Sequence, residues 1–318
     1  MTPSRLAGLA ALVLALAAQA AAAQAVRIVV PGPPGGFADI AVRITADRLQ
    51  QGLGAPVVIE HRPGAGGTVG LEYLKGARPD GTTIAMINLS PTVNESLVKG
   101  KSYALLADFE PVGQYAWLAN VLIVNPSIAA TSVPQLVEVL KAKGGAHYAS
   151  GGVGSPGHLV GEMFRLRTGV PLTHVPYKGA PPAVTSVVAG ETVLMFATAS
   201  SAIAPIRGGQ VRALAVTVRE RMGQLPDVPT LAEAGFGDFN VTDWAGILAP
   251  KGTPPEARER IHRAFVAAFA DADAQERLRN ATILPMAQPL GSAEFADFLK
   301  REVDKWAKVV SEAKISAN

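Results

Sequence analysis

Short apolar runs that end in turns, each followed by a helical pattern, constrain this chain more than any other feature. The runs are VRIVV (26–30), PVVIE (56–60), TTIAMI (82–87), VLIVN (121–125), HYAS (147–150), VLMFA (193–197), VRALAVT (211–217) and AGILA (245–249). Between them apolar residues recur at helical spacing. Val42, Ala46, Leu49 and Leu53 step by 4, 3 and 4, and Leu159, Met163 and Leu166 by 4 and 3. Parallel strands need a crossover, and a helix supplies it. The alternation predicts an α/β fold with parallel sheets covered by helices on both faces. Past residue 254 the pattern turns mostly helical, and Pro254-Pro255 marks the start of that region.

Two of the runs look alike. ANVLIVNP (119–126) and WAGILAP (244–250) are apolar, end in Pro, and have Trp117 or Trp244 just upstream or at the start. A chain that leaves one lobe and later returns needs two such crossings. The expected layout is one lobe from 26–122 plus 248–318 and a second from 123–247. The alternative is two consecutive domains with a break near 125.

The first 25 residues differ from the rest. Arg5 precedes an apolar stretch, Leu6 to Ala18, and then the small residues Ala21-Ala22-Ala23 and Ala23-Gln24-Ala25. This is the layout of a secretory leader, cleaved near Ala23 or Ala25. The apolar stretch is short for a membrane anchor, which needs roughly 20 residues. The expectation is therefore a periplasmic protein that is not itself embedded in the membrane. The remaining 318 − 25 = 293 residues suit two domains of roughly 150 residues each.

Composition enters as exclusion. Apolar residues make up 48% of the chain, enough for a sizeable core. The net charge is +3 with no Lys/Arg run, which argues against a nucleic-acid partner. There is no cysteine, so disulfides and thiolate metal sites are excluded.

Several turns are built to expose backbone N–H groups. VPGPPGGFADI (30–40) follows the first strand, and Gly35 and Gly36 leave its backbone bare at a helix start. A helix N-terminus carries unsatisfied donors and about half a positive charge, which favours an anion. Asp39 would repel that anion, so it either braces the loop or meets a cationic part of a ligand. RPGAGGTVG (62–70) reads as loop architecture, with Thr68 available as a helix cap.

YASGGVGSPGHL (148–159) fits G-x-G-x-x-G through Gly152, Gly154 and Gly157. Ser155 is a good N-cap, Pro156 suits the first helical position, and Gly169 is a stop for a helix over 156–168. A dinucleotide is excluded by context. The fingerprint needs an acidic residue about 20 positions on to hold the ribose. VPLTHVPYK (170–178) has none. His158, in the first turn, either donates to an anion or holds the loop. THVPYKGAPPAV (173–184) places Tyr177 and Lys178 at a strand end, and FATASSA (196–202) does the same for Thr198. Open α/β sheets bind ligands at such ends. Lys178 as a solvated surface charge is the alternative.

No catalytic template fits. Ser150 and Ser155 lack the glycine of a nucleophile elbow two residues before them. The histidines His61, His147, His158, His174 and His262 show no metal-binding spacing. No cofactor is expected.

Taken together, these segments resemble the substrate-binding proteins of tripartite tricarboxylate transporters, the Bug family. The shared pattern runs through PPGG-x-x-D (Pro33 to Asp39), RPGAGG (62–67), ARPDGTT (77–83), SGGVGSPGHL (150–159) and HVPYKGAPPAV (174–184). It continues through LPDVPTLAEAGF (225–236), WAGILAP (244–250), KGTPP (251–255) and KWAKVV (305–310). The resemblance implies a two-lobed periplasmic binding protein fold of type II-like form. Each lobe is a central sheet flanked by helices, and crossing hinge strands join the two. It also implies a non-enzymatic, monomeric receptor that delivers a small carboxylate to membrane permease subunits. A receptor for a sensor system would have the same site; an exported hydrolase is the more distant alternative. By the same resemblance, ligand contacts would come from Pro34, Gly35, Gly36, Asp39, Ser150, Gly151, Gly152 and Ser155, with His158 nearby. The chain departs from the usual pattern at Gly32 (commonly Phe), Phe37 (commonly Pro) and His61 (commonly Asn). It also lacks the Asp often found two residues before Met195. Ligand identity therefore does not transfer.

Overall fold

The computed structural model describes residues 24–237 and 242–316. Apart from its last two residues, the expected leader lies outside the described residues. In chain order the elements are β1 (Val26–Val30), α1 (Phe37–Leu53), β2 (Val57–His61), a 3₁₀ turn (Ala65–Gly67), α2 (Thr68–Lys75), β3 (Thr83–Ile87), α3 (Ser90–Leu97) and α4 (Leu105–Asp108). Next come β4 (Phe109–Leu118), β5 (Asn120–Val124), α5 (Val133–Ala142), β6 (Ala146–Ser150), α6 (Pro156–Thr168), β7 (Leu172–Pro176), α7 (Ala180–Ala189), β8 (Leu194–Thr198), α8 (Ala199–Arg207) and β9 (Arg212–Val216). The chain closes with β10 (Asp243–Pro250), α9 (Pro255–Ala270), α10 (Ala272–Asn280), β11 (Ile283–Leu290) and α11 (Ser292–Glu312).

Two sheets form, in the orders β11-β4-β10-β3-β1-β2 and β7-β6-β8-β5-β9. They are mixed, not parallel as the alternation predicts. β1, β2 and β3 run parallel, as do β6, β7 and β8, but β10 and β4 run antiparallel to their neighbours and so does β5. The reason is connectivity. The strands joined by crossover helices must be parallel, whereas a strand that enters from the other lobe arrives in the opposite sense. All of β5 pairs in the second sheet and all of β10 in the first. The expected boundaries at 122 and 248 therefore fall inside strands, and the turn between β4 and β5 at Ala119 makes the first crossing.

Three strands escape the sequence reading. β4 carries Pro111, Gly113 and Gln114, which look like turn residues, yet it is a central strand whose register shifts against β10. β11 holds Pro285 and Pro289 and lies at a sheet edge, where missing N–H donors are tolerated. β7 is the edge strand of the second sheet and ends in Pro176.

Strand alternation sorts the core into layers. In β1, Ile28 and Val30 join Val42, Leu49 and Phe265 on one face, while Val29 joins Leu71 and Leu74 on the other. Gly52 is needed for clearance, because a side-chain carbon there would lie 3.0 Å from the Ala264 methyl carbon on α9. In the second sheet, Val121, Ile123 and Met195 meet Val184 and Val187 of α7. Leu122, Tyr148 and Phe196 meet Leu159, Val160 and Phe164 of α6. That last layer is continuous with Trp244, Phe295 and Leu71 of the first lobe, so one core runs through the crossing. Among the described residues no helix is long and apolar enough to cross a membrane.

Candidate functional site

Both sheets direct the carboxyl ends of their parallel strands to one cleft, where open α/β sheets hold ligands. Six helices begin there: α1, α2 and α3 from the first lobe and α6, α7 and α8 from the second. Of these, α6 is capped by Ser155, and the Ser90 N–H that opens α3 donates to Asn88 Oδ1 at 3.1 Å; the N-cap positions Gly36, Gly67, Gly179 and Thr198 supply no side-chain cap. Of the helices that start elsewhere, α5 and α10 are capped by Ser132 and Asp271, whereas α4 and α9 have no side-chain cap. The Thr68 and Ala199 N–H groups that open α2 and α8 donate to the Ala65 and Ala119 carbonyls, so the open first-turn donors at the cleft are chiefly those of α1 and α7, one helix from each lobe.

The first loop runs from Pro31 to Gly36. Gly35 has φ 78°, a left-handed conformation that disfavours other residues. Its N–H donates to Asp39 Oδ2 at 3.0 Å. Asp39 Oδ1 accepts from Arg43 Nε at 2.9 Å and lies 3.0 Å from His61 Nε2. Burial raises the Asp39 carboxyl, but the Gly35 N–H, Arg43 and His61 together hold it below the ordinary value. Asp39 thus braces the loop, and the Gly35 donor is committed to it. The open donors are those of Phe37 and Ala38, which follow the uncapped Gly36. Pro34 and Gly35 are exposed at the tip.

The second loop has four successive residues with positive φ, 141°, 45°, 62° and 92° at Gly64, Ala65, Gly66 and Gly67. Thr68 does not cap α2 as the sequence suggests. It accepts from Asn94 Nδ2 at 3.4 Å, and the same amide donates to the Gly66 carbonyl at 3.1 Å. Asn94 therefore fastens this loop to α3, a tie that no sequence motif announces.

The third loop is held from below. Ser150 is fully buried, and its Oγ lies 2.6 Å from His174 Nε2. Gly152 N–H donates to Ser150 Oγ at 3.1 Å. Gly154 N–H donates to His158 Nδ1 at 3.1 Å, which leaves the proton of the neutral ring on Nε2. Ser155 caps α6 by accepting the His158 N–H at 3.4 Å, and α6 ends at Gly169 as expected. His158 stacks on His174 with ring centres 3.8 Å apart. Burial lowers both rings to a pKa of about 4, His174 with help from His158. Tyr148 lies beside His174 and donates to Glu162 at 2.7 Å; Glu162 pairs with Arg165. Arg165 reaches across to the Ala313 carbonyl of the first lobe at 3.4 Å. His158 thus holds the loop. His174, which no spacing rule picks out, is its partner.

The remaining expected residues divide. Gly151 packs tightly, since a side-chain carbon would lie 3.2 Å from the Ala180 nitrogen. Thr198 sits at the end of β8, bonded to Ser201 at 2.9 Å. The Tyr177 hydroxyl is turned to Glu191 at 3.4 Å, on the turn after α7, and so is engaged away from the loops. Lys178 is exposed and forms no ion pair among the described residues.

The loops of the two lobes touch. A side-chain carbon at Gly154 would lie 2.8 Å from Leu97 Cδ2 and 3.3 Å from Asn94 Oδ1, and one at Gly179 would lie 3.8 Å from Pro33 Cγ. An open groove of about 620 Å³ lies elsewhere, between the end of α8 and α10 around Arg207, Gln224, Glu276 and Arg279. It is shallow and lined by solvated polar side chains. The convergence of uncapped helix ends makes the loop cleft the stronger candidate.

Comparison with known proteins follows this geometry. Residues 41–315 match the family described as the tripartite tricarboxylate transporter family receptor. A UPF0065 protein from the tcbD-tcbE intergenic region of Pseudomonas sp. strain P51 is 36% identical over 91% of this chain and 86% of its own length. Protein BugT of Bordetella pertussis is 34% identical over 91% and 89%. The structure of the periplasmic binding protein BugD superposes with TM-score 0.84 at 31% identity, covering 92% of this chain and 98% of that one. Rpa4515 of R. palustris with adipate gives 0.86 at 29% identity over 92% and 98%. MatC of Rhodopseudomonas palustris with bound malate gives 0.82 at 28% identity over 91% and 99%. This chain belongs to the receptor family of tripartite tricarboxylate transporters, and its two mixed sheets form the two-lobed fold of a periplasmic solute-binding protein.

Proposed function

We propose that this protein closes its two lobes on a small carboxylate in the periplasm and delivers it to the membrane permease of a tripartite transporter. One observation carries the reading: four helix N-termini without side-chain caps, α1 and α2 from one lobe and α7 and α8 from the other, converge on one cleft. Hydrogen bonds to a charged acceptor are worth roughly 1.5–3 kcal/mol each. A few of them in a shielded cleft suffice for micromolar affinity, about −8 kcal/mol. The adipate and malate complexes of relatives support the ligand class. A ligand that touches both lobes favours the closed form, because only that form offers all the contacts. Residues 1–25 act as a cleaved leader, and the mature receptor is a monomer. It binds without catalysis. Ser150 and His174 are close, but the serine is fully buried and its hydroxyl is taken up by His174 and Gly152.

The test is a thermal-shift and calorimetric screen of the mature protein against mono-, di- and tricarboxylates. A ligand at 100 times its Kd stabilises by about 2.7 kcal/mol. A panel that gives neither a shift nor heat removes the receptor reading.

A further inference from the structure

The Asn120 side chain is fully buried, and neither Oδ1 nor Nδ2 has a hydrogen-bond partner. Its backbone is fixed. The N–H donates to Thr217 Oγ1 at 3.1 Å, and the carbonyl accepts the Thr217 N–H at 2.9 Å. Asn120 opens β5 immediately after the chain crosses between lobes, and it pairs with Thr198 at the cleft end of β8.

Register locates the side chain. Asn120 alternates with Val121 and so shares the sheet face of Leu122, whose partner is Phe196. Tyr148 and Ser150 lie on that face one strand further along. This is the face under α6. A side-chain carbon at Gly157, in the first turn of α6, would lie 2.4 Å from the Phe196 carbonyl. Asn120 and Thr198 are one pleat beyond Leu122 and Phe196, on the floor in front of the α6 N-terminus.

Gln114 also has both amide atoms buried and unpartnered. It stands opposite Gly246, in a layer where Phe295 fills the space a side chain would take. Gln114 therefore belongs to the core beneath α11, and Asn120 belongs to the cleft. A buried amide without partners is costly, and native structures keep few.

Building on the receptor reading, we infer that the Asn120 carboxamide is the group that selects the uncharged part of the ligand. Nδ2 needs an acceptor and Oδ1 needs a donor. A carboxylate supplies acceptors only. A hydroxyl or carboxamide next to the clamped carboxylate supplies both. The ligand class is thus a hydroxy- or carbamoyl-substituted carboxylate. A site built to bond a hydroxyl rejects the analogue that lacks one, because its own polar atoms stay unpaired.

Matched probes test this: succinate against malate, propionate against lactate, glutarate against 2-hydroxyglutarate, and propionate against succinamate (3-carbamoylpropionate). In the wild-type protein at least one substituted member binds tenfold or more tightly than its parent, a difference of about 1.4 kcal/mol. In Asn120→Leu that preference falls to within twofold. The ligand-free variant unfolds at the same temperature or higher, since the unpartnered amide is gone. If Asn120→Leu does not fold, Asn120→Ala removes the same group without new bulk. Parent and substituted acids that bind equally in the wild type, or a preference that survives in the variants, overturn the inference and leave the receptor reading intact. Binding of no carboxylate at all overturns both.

Discussion

His158 and His174 set the pH behaviour of the site. Their stacked rings are neutral in the folded protein, with pKa about 4, against an ordinary value of 6.5. The unfolded chain therefore binds more protons than the native one between about pH 6.5 and 4, and stability falls as the pH drops through that window. We expect the ligand-free unfolding temperature to decline across it, and the decline to flatten in the double variant His158→Gln, His174→Gln. An unchanged slope in the double variant would assign the effect to other groups. Asp39 illustrates what residue identity leaves open. Its place in the first turn of α1 is visible in the sequence, but both bracing and ligand contact suit it there. Gly35, Arg43 and His61 decide for bracing, and His61 arrives from β2, beyond reach of any local pattern.

At the scale of elements, the glycine loops do different jobs under one composition. Gly36 is extended, with φ −74°, and needs glycine only for clearance, with the Pro33 carbonyl 3.3 Å from a side-chain carbon placed there. Gly152 has φ 126°, a conformation that costs other residues roughly 1–3 kcal/mol. Gly152→Val should displace the third loop and weaken carboxylate binding at least tenfold. Gly169→Ala, at the far end of α6 with φ 66° and open space around it, should cost comparable stability and leave affinity unchanged. Calorimetric titration of both variants separates loop geometry from general destabilisation; equal affinities would move the site away from this loop. Helix starts were readable because Ser155-Pro156 and Gly169 bracket α6 with local chemistry. β4 was not, because Pro111 and Gly113 suit a turn and only the pairing with β10 and β11 makes them strand.

The whole molecule is two lobes on one core. Trp117 and Trp244 are register partners beside the crossing, and both pack edge-on against Phe298 at 6.2 and 5.5 Å. Any rotation of the lobes moves the strands that carry them. Saturating carboxylate should change tryptophan emission with the midpoint found by calorimetry, and Trp117→Phe should remove much of the change. Binding that leaves both emission and small-angle scattering unaltered would rule out closure. The α/β class, the glycine turns at strand ends and the family are legible in the chain alone, because each rests on neighbours within a few residues or on ordered motifs. Strand sense, the bracing of Asp39, the His158–His174 stack beneath Ser150 and the unpartnered amide of Asn120 emerge with the folded chain. Those depend on groups from distant segments meeting in space, and whether a buried polar atom finds a partner is fixed only when the chain has folded around it.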